Sequence, residues 1–244
     1  MEKFSAKRIL EVWEQGVPLS AEARTQALLG LIAPELSTQA LMELRLGDRN
    51  MNLLELRKRL FGPSLQAYVE CGDCGEALDI EFGIDELGFS SIDQVAEVNP
   101  VSTGSINARV RLPNNQDLLA LASLSTVEDG RRLLFSRCIL ELRRDETVID
   151  PEELGEDEID QLEKAISELD PRMEILFDLK CPQCTHSWQS PLEISSYLWS
   201  EYDVYARQLL ESVHVLASTY SWAETDILGM SEERRQFYLG RIIQ

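Results

Sequence analysis

Cys71-Gly72-Asp73-Cys74-Gly75 recurs in altered form farther along the chain, as Cys181-Pro182-Gln183-Cys184-Thr185. Each motif is flanked by runs in which apolar and polar residues alternate, a pattern typical of β-strands. The runs are 65–69 and 78–82 around the first motif, and 173–179 and 188–194 around the second. We therefore predict two β-hairpins, each with a cysteine pair in its tight turn.

Two residues between cysteines allow both sulfurs to turn to the same side of a tight knuckle. Each knuckle can then supply two corners of a tetrahedron, and two knuckles complete a four-thiolate zinc site. Gly75 suits such a turn, whereas Thr185 at the matching position is less suited to it. The sequence predicts one structural Zn²⁺ held by four residues: Cys71, Cys74, Cys181 and Cys184.

The separation of the two pairs is unusual, because 106 residues lie between them, whereas a simple zinc ribbon has about 15–20. A shared ion would close this long loop and attach an inserted segment to a common base. A redox dithiol and unmetallated core cysteines are the alternatives. The redox interpretation is disfavoured because neither pair opens a helix after a strand, the setting that lowers a thiol pKa. His186 could replace one cysteine as a ligand.

Composition narrows the class of protein. The chain has 244 residues and a formal net charge of −20, which disfavours binding to nucleic acid or to an anionic membrane. Neither a signal peptide nor an apolar run long enough to span a bilayer is recognisable. We therefore predict a cytoplasmic protein, in the bacterial cell or an infected host, in which thiols stay reduced.

Helical periodicity dominates both ends of the chain. In residues 1–62 we predict four short helices, the second starting after Ser20, the third after Ser37 or Thr38 and ending at Gly47-Asp48, the fourth covering 52–61. A long C-terminal helix carries an apolar stripe, and shorter helices should begin at Ser221 and Ser231. The stripe consists of Leu198, Tyr202, Ala206, Leu209, Val213 and Leu216.

The middle of the chain is of mixed type. We predict a strand over 107–112, a short helix over 115–123 and a helix within the acidic stretch 145–170. Acidic runs are usually solvated faces, and the alternative is a docking surface for a basic partner. The apolar stretch 131–142 contains Cys138, which we interpret as a buried small hydrophobic residue.

The remaining candidates have ordinary structural explanations. His214 should be a partly buried helix residue, and Trp199, Trp222 and Tyr238 should be packing residues. The chain lacks a glycine-rich phosphate loop, a Ser/His/Asp arrangement and an HExxH motif. We therefore predict that the protein is not an enzyme, with no catalytic residues.

A longer pattern resembles the T-even-type phage baseplate protein family, whose members are also described as baseplate hub assembly chaperones. The shared residues include both cysteine pairs, a segment over 44–62 and a more specific C-terminal string over 198–239. That string contains Leu198-Trp199, His214, Leu216-Ala217, Tyr220, Trp222, Ile227-Leu228, Arg234-Arg235 and Tyr238-Leu239. Thr185 departs from the glycine expected after the second knuckle.

The resemblance implies assembly work in a contractile tail, of a phage or a related injection system, through binding to tail or baseplate hub proteins. It leaves open whether the protein stays in the finished particle, and it brings no catalytic residues. The competing hypotheses are a zinc-ribbon nucleic-acid or transcription-associated module and a thiol oxidoreductase. The acidic residues near the first knuckle argue against the former: Glu70, Asp73, Glu76, Asp79 and Glu81.

Together these observations predict an α+β fold in which helical terminal segments surround a split four-cysteine zinc ribbon with an inserted α/β segment between the knuckles. The expected parts are an N-terminal helical segment (1–64), the ribbon (65–82 plus 173–194), the insert (83–172) and a C-terminal helical segment (195–244).

Overall fold

A computed structural model describes the protein at residues 4–89 and 95–242. Residues 1–3 and 243–244 of the predicted terminal segments lie outside the described residues, as do residues 90–94 of the predicted insert. The fold mixes helices and strands, in agreement with the predicted α+β class. The elements follow in chain order as α1 (Ala6–Gly16), α2 (Ala21–Ile32), α3 (Thr38–Met42), α4 (Leu46–Phe61), β1 (Ser64–Glu70), β2 (Ala77–Gly83), β3 (Asn99–Thr103), β4 (Ile106–Val110), α5 (Asn115–Leu121), α6 (Val127–Cys138), β5 (Ile139–Arg144), β6 (Thr147–Val148), α7 (Glu156–Leu169), β7 (Ile175–Lys180), β8 (Ser187–Leu192), α8 (Ile194–Tyr220), α9 (Glu224–Leu228) and α10 (Glu232–Ile242).

The chain forms two compact units. A helical unit comprises Met1–Glu35 and Glu193–Gln244, and a ribbon-and-sheet unit comprises Leu36–Leu192. Helices α1 and α2 thus group with α8 to α10, whereas α3 and α4 group with the strands. The four-part division made from the sequence remains a prediction.

Serine residues start the first three helices. The hydroxyl oxygens of Ser5, Ser20 and Ser37 accept hydrogen bonds from backbone N–H groups three residues later, at 3.3, 3.4 and 3.1 Å. Such N-caps satisfy amides that have no partner within the helix. The predicted starts at Ser20 and Ser37 are therefore confirmed.

The predicted boundary between the third and fourth helices is wrong. Helix α3 ends at Met42, and α4 begins at Leu46, so Gly47 and Asp48 lie in its first turn. Gly47 is needed there for space, because a Cβ atom on it would lie 2.1 Å from Oδ2 of the buried Asp170. The glycine therefore marks a close approach of two segments. The sequence pattern alone had suggested that it marked a helix end.

The core of the helical unit is built on α8. All six residues of its predicted apolar stripe are buried, which confirms that prediction. The Tyr202 hydroxyl donates a hydrogen bond to the Ile9 carbonyl at 3.0 Å, and the Trp13 indole N–H donates to Asp203 at 2.8 Å. Burial raises the pKa of the Tyr202 phenol well above its ordinary value. These contacts anchor α1 to α8.

The end of the chain differs from prediction at Ser221. This residue adopts a left-handed conformation (φ 56°) and ends α8, while α9 begins after Ala223 without a side-chain cap. Ser231 does cap α10, since its hydroxyl accepts the Arg234 N–H at 3.3 Å. His214 is exposed, whereas the sequence predicted partial burial.

The insert forms an antiparallel sheet in the order β3-β4-β5-β6. One sheet face packs against α6 and α7, whereas most side chains of the other face are exposed. The predicted helix within the acidic stretch is confirmed as α7, which buries Leu162 and Ile166 in this core. The buried core residues are Val101, Ile106, Ala108, Val110, Leu112, Phe135, Leu142, Leu162 and Ile166.

Several acidic side chains of α7 are neutralised within the chain. The Arg131 guanidinium forms ion pairs with Glu156, Asp160 and Glu163, and Arg144 pairs with Glu158. The exposed face of α7 therefore carries less free charge than its sequence suggests.

Among the helices within the described ranges, none is both long and apolar enough to cross a bilayer.

Candidate metal centre

Two antiparallel hairpins carry the four cysteines. Strands β1 and β2 pair from Ser64–Gly83 to Glu70–Ala77, and β7 and β8 pair from Ile175–Leu192 to Lys180–Ser187. Each hairpin is a separate two-stranded sheet. Because an isolated two-stranded hairpin is marginally stable, side chains or a shared ligand must hold these two together.

Apolar side chains supply part of that contact. Along all four strands, partly buried residues alternate with exposed ones, as the sequence predicted. Leu65 and Ile175 are fully buried, and the rings of Phe82 and Phe177 lie 4.0 Å apart at their centroids. The shared core is therefore concentrated at the end of the hairpins away from the cysteine turns.

The two cysteine turns have the same backbone hydrogen bonds. The Cys71 N–H donates to Glu76 O and the Gly75 N–H to Cys71 O, both at 2.8 Å. In the second turn the Cys181 N–H donates to His186 O at 2.8 Å, and the Thr185 N–H to Cys181 O at 3.0 Å. This repeated geometry confirms the paired tight turns expected from the two motifs.

The residue after each second cysteine is left-handed. Gly75 has a φ of 74°, and Thr185 has a φ of 63°. Glycine adopts this conformation without a steric penalty, whereas a β-branched residue is an outlier there. Thr185 therefore holds the second turn under local backbone strain, in agreement with its poor match to the sequence pattern.

All four cysteine sulfurs lie within 4.8 Å of one another. The Sγ atoms of Cys71 and Cys184 are 3.7 Å apart, and those of Cys74 and Cys181 are 3.6 Å apart. Each of these close pairs joins one hairpin to the other. The structure thus brings together the four residues that the sequence singled out, across the whole length of the insert.

These separations fit a tetrahedral thiolate site. With Zn–S bonds of about 2.3 Å, adjacent sulfurs of a tetrahedron lie about 3.8 Å apart, close to the two measured distances. A disulfide would need sulfurs about 2.05 Å apart, and the cysteines are free thiols. The four cysteines can therefore hold a metal ion in the space between the turns.

The thiol pKa values differ between cysteines of the second turn. Backbone N–H groups of Cys184 and Gln183 donate toward the Cys181 sulfur and lower the pKa of that thiol to about 7. The His186 N–H lowers the pKa of Cys184, but burial and the neighbouring thiols outweigh it and raise that pKa to about 12. Neighbouring thiolates thus oppose one another, and a bound cation relieves this repulsion.

Exposure also differs between the four clustered cysteines. Cys71 and Cys181 are buried, Cys184 is partly buried and Cys74 is exposed. His186 is exposed and stacks on Trp188 with ring centroids 5.5 Å apart. It lies outside the group of four donors found in the described residues.

Cys138 is separate from this cluster. It is buried, as predicted, and desolvation raises the pKa of its thiol to about 11. A thiol with that pKa is largely protonated near neutral pH and therefore a poor nucleophile.

A second polar centre was not foreseen from the sequence. The Asp117 carboxylate is fully buried and accepts hydrogen bonds from Arg111 at 2.7 and 2.8 Å and from Arg137 at 2.6 Å. Burial raises the pKa of Asp117, but the two guanidinium groups outweigh it, so the net pKa is lowered. Asn114 and Asp117 also form the capping box of α5, and this Asn-x-x-Asp spacing was the available signal.

Comparison with known proteins identifies a related family. A family model described as T4 bacteriophage base plate protein matches residues 18–198. The matched range contains all four clustered cysteines and ends at Leu198, so most of the C-terminal string lies beyond it. No curated protein and no solved structure matches the chain.

Proposed function

Because this chain belongs to the T4 bacteriophage base plate protein family, we propose that it acts without catalysis in building a contractile-tail baseplate hub. Its role would be that of an assembly factor or minor structural component that binds another tail protein. The family match over residues 18–198 is the observation that carries this proposal. We place the protein in the cytoplasm of the producing cell during assembly.

We propose further that Cys71, Cys74, Cys181 and Cys184 hold a structural Zn²⁺. The support is the close approach of sulfurs from both hairpins, at 3.6 and 3.7 Å. Four thiolates complete a tetrahedral shell and leave no position for a reactive water, as in structural zinc sites. The ion would then fix the ends of a large insert and give the partner-binding protein a rigid frame.

The charge of the chain fits a role in assembly. A net charge of −20 keeps a protein soluble and opposes self-association. An acidic protein bound to a basic or aggregation-prone partner would extend that solubility to the complex. This is the physical basis on which it would act as a chaperone for a tail component.

The zinc-ribbon nucleic-acid module is the competing proposal. Acidic side chains on the first hairpin are exposed, and Lys180 is the nearest exposed cation on the second. Phosphates approaching this surface would be repelled. The exposed acidic residues are Glu70, Asp73, Glu76, Asp79 and Glu81.

The test is affinity capture of the full chain from cells that also carry its neighbouring tail genes, followed by mass spectrometry. We expect stoichiometric recovery of another tail protein. Recovery of RNA polymerase or nucleic acid alone would contradict the proposal. A matched capture with an unrelated protein of similar negative charge controls for non-specific binding.

A further inference from the structure

One exposed helix face carries two arginines around an apolar ring, with the exposed Glu233 one turn before that ring. On α10, Arg234, Phe237 and Arg241 follow one another at spacings of three and four residues, which places them on one side of the helix. We call this set the α10 stripe. Phe237 lies at the centre of the stripe and is 57% exposed. An exposed apolar ring therefore lies between two cations.

The rings beneath the arginines are held in place by neighbours. The Arg241 guanidinium lies 5.2 Å from the centroid of the Phe237 ring, and Arg234 lies 5.9 Å from that of Tyr238. Tyr238 in turn packs edge-on against Trp222 at 4.8 Å. The stripe is therefore supported by a rigid aromatic cluster, which reduces the entropy lost when a partner binds.

Within residues 4–89 and 95–242, the guanidinium groups of Arg234 and Arg241 have no carboxylate or other oxygen partner. Every other arginine in the described ranges has an ion pair with a carboxylate or a hydrogen bond to an oxygen atom. Exposed Arg132 and Arg207, for example, pair with Glu128 and Asp203 on their own helices. In a chain of charge −20, these two guanidinium groups are therefore available to an incoming carboxylate, as far as the described residues are concerned.

We propose that the α10 stripe docks an acidic segment of a partner protein, which places an apolar side chain against Phe237 and carboxylates against Arg234 and Arg241. Aromatic and arginine side chains are enriched at the centres of protein interfaces. Charge complementarity selects an acidic segment at this site, whatever the net charge of the whole partner, and orients it. The inference rests on the proposed function, in that it names the surface used to bind a partner.

Other occupants fit the stripe less well. A second copy of the chain brings another net charge of −20, and nucleic acid brings phosphates to a strongly acidic molecule. A short acidic segment has to approach only the stripe and not the rest of the acidic surface. It therefore avoids most of that repulsion. The acidic protein segment is therefore the occupant that this surface favours.

The probe is a fluorescein-labelled synthetic helical peptide with glutamates and leucines on one face, and its binding is followed by fluorescence anisotropy. We expect salt-sensitive binding to the full chain. Arg234→Gln/Arg241→Gln and Phe237→Ala should each weaken it by about tenfold or more, the effect of losing one interface hot spot. The matched control, Arg132→Gln/Arg207→Gln, removes the same charge from two exposed arginines and should bind as the parent does.

Three results would overturn the inference. In the first, the stripe variants bind the peptide as tightly as the parent does. In the second, the control variant loses as much peptide affinity as the stripe variants do. In the third, the peptide does not bind, while self-association or binding to duplex DNA depends on the stripe. The capture experiment separates this inference from the proposed function. If the Arg234→Gln/Arg241→Gln variant still captures the parent's tail partner, the inference fails and the function stands. If the parent captures no tail protein, the function fails.

Discussion

Replacing Cys181 by serine should destabilise the ribbon severely. The substitution removes one of four sulfurs, the one that lies 3.6 Å from Cys74 on the opposite hairpin. A three-ligand site is no longer a closed tetrahedral shell, and metal affinity falls with it. The two hairpins would then be held together only by the small apolar contact around Leu65, Phe82, Ile175 and Phe177.

The magnitude follows from the loop that a shared ion would close. With 106 residues between the cysteine pairs, a cross-link stabilises the folded chain by about 4.7 kcal/mol in the chain-entropy description. Natural domains have about 5–15 kcal/mol in total, so the loss would take a large part of the stability. We expect the Cys181→Ser variant to melt at least about 10 °C lower, since about 1 kcal/mol shifts the melting temperature by 2–4 °C at this size.

Circular dichroism melts of parent and variant, each with and without a zinc chelator, provide the measurement. Elemental analysis of the freshly purified parent should find one zinc per chain, and the chelator should lower the parent's melting temperature but leave the variant unchanged. Cys138→Ala is the matched control, because it removes a buried thiol outside the cluster and should cost only about 1 kcal/mol. A metal-free parent, or a variant that melts with the parent, would refute the reasoning.

Three other sets of substitutions test separate parts of the structure. Thr185→Gly should stabilise the second turn by about 0.5–1 kcal/mol because it relieves a left-handed threonine, while Gly75→Thr should destabilise the first by a similar or larger amount, both measured by urea denaturation. Gly47→Ala should cost about 2–3 kcal/mol, because its Cβ would meet Asp170 at 2.1 Å; Gly240→Ala, with nothing within 4 Å of the added atom, should be neutral or stabilising. Asp117→Asn should cost about 2–3 kcal/mol at pH 7. Because folding lowers the pKa of Asp117, its contribution is present above about pH 4 and is lost as pH falls through the folded pKa, so the urea midpoints of parent and variant should converge as the pH falls below about 4. A gap that stays constant with pH would contradict the ion-pair explanation.

The cysteine cluster was predictable because its signals are local. Two-residue spacing, alternating flanking strands and a glycine after Cys74 each describe a few neighbouring residues, and the structure reproduces all of them. The apolar stripe of α8 was predictable for the same reason, since its helical repeat continues over many turns. In both cases the spacing of apolar residues in the sequence equals the spacing of buried side chains in the folded element.

Other parts depend on distant contacts and were missed. Strand β3 was not predicted, and the apolar stretch 131–142 proved to be the end of α6 followed directly by β5, with the change at Cys138–Ile139. Helix and strand residues there face one common core, so apolar content alone cannot mark the boundary. Gly47 and Asp117 likewise depend on partners that only the folded chain supplies.

The wide sequence separation of the cysteines also dictates when their cluster can form. Cys71 and Cys184 are 113 positions apart, and a ribosome adds about 5–20 residues per second. After the first hairpin has been synthesised, its two cysteines therefore lack their partner cysteines for several seconds, while the intervening sheet and helices are still being synthesised. The four-cysteine cluster can therefore form only after translation has passed the second hairpin. A chain truncated before Cys181 could not form it.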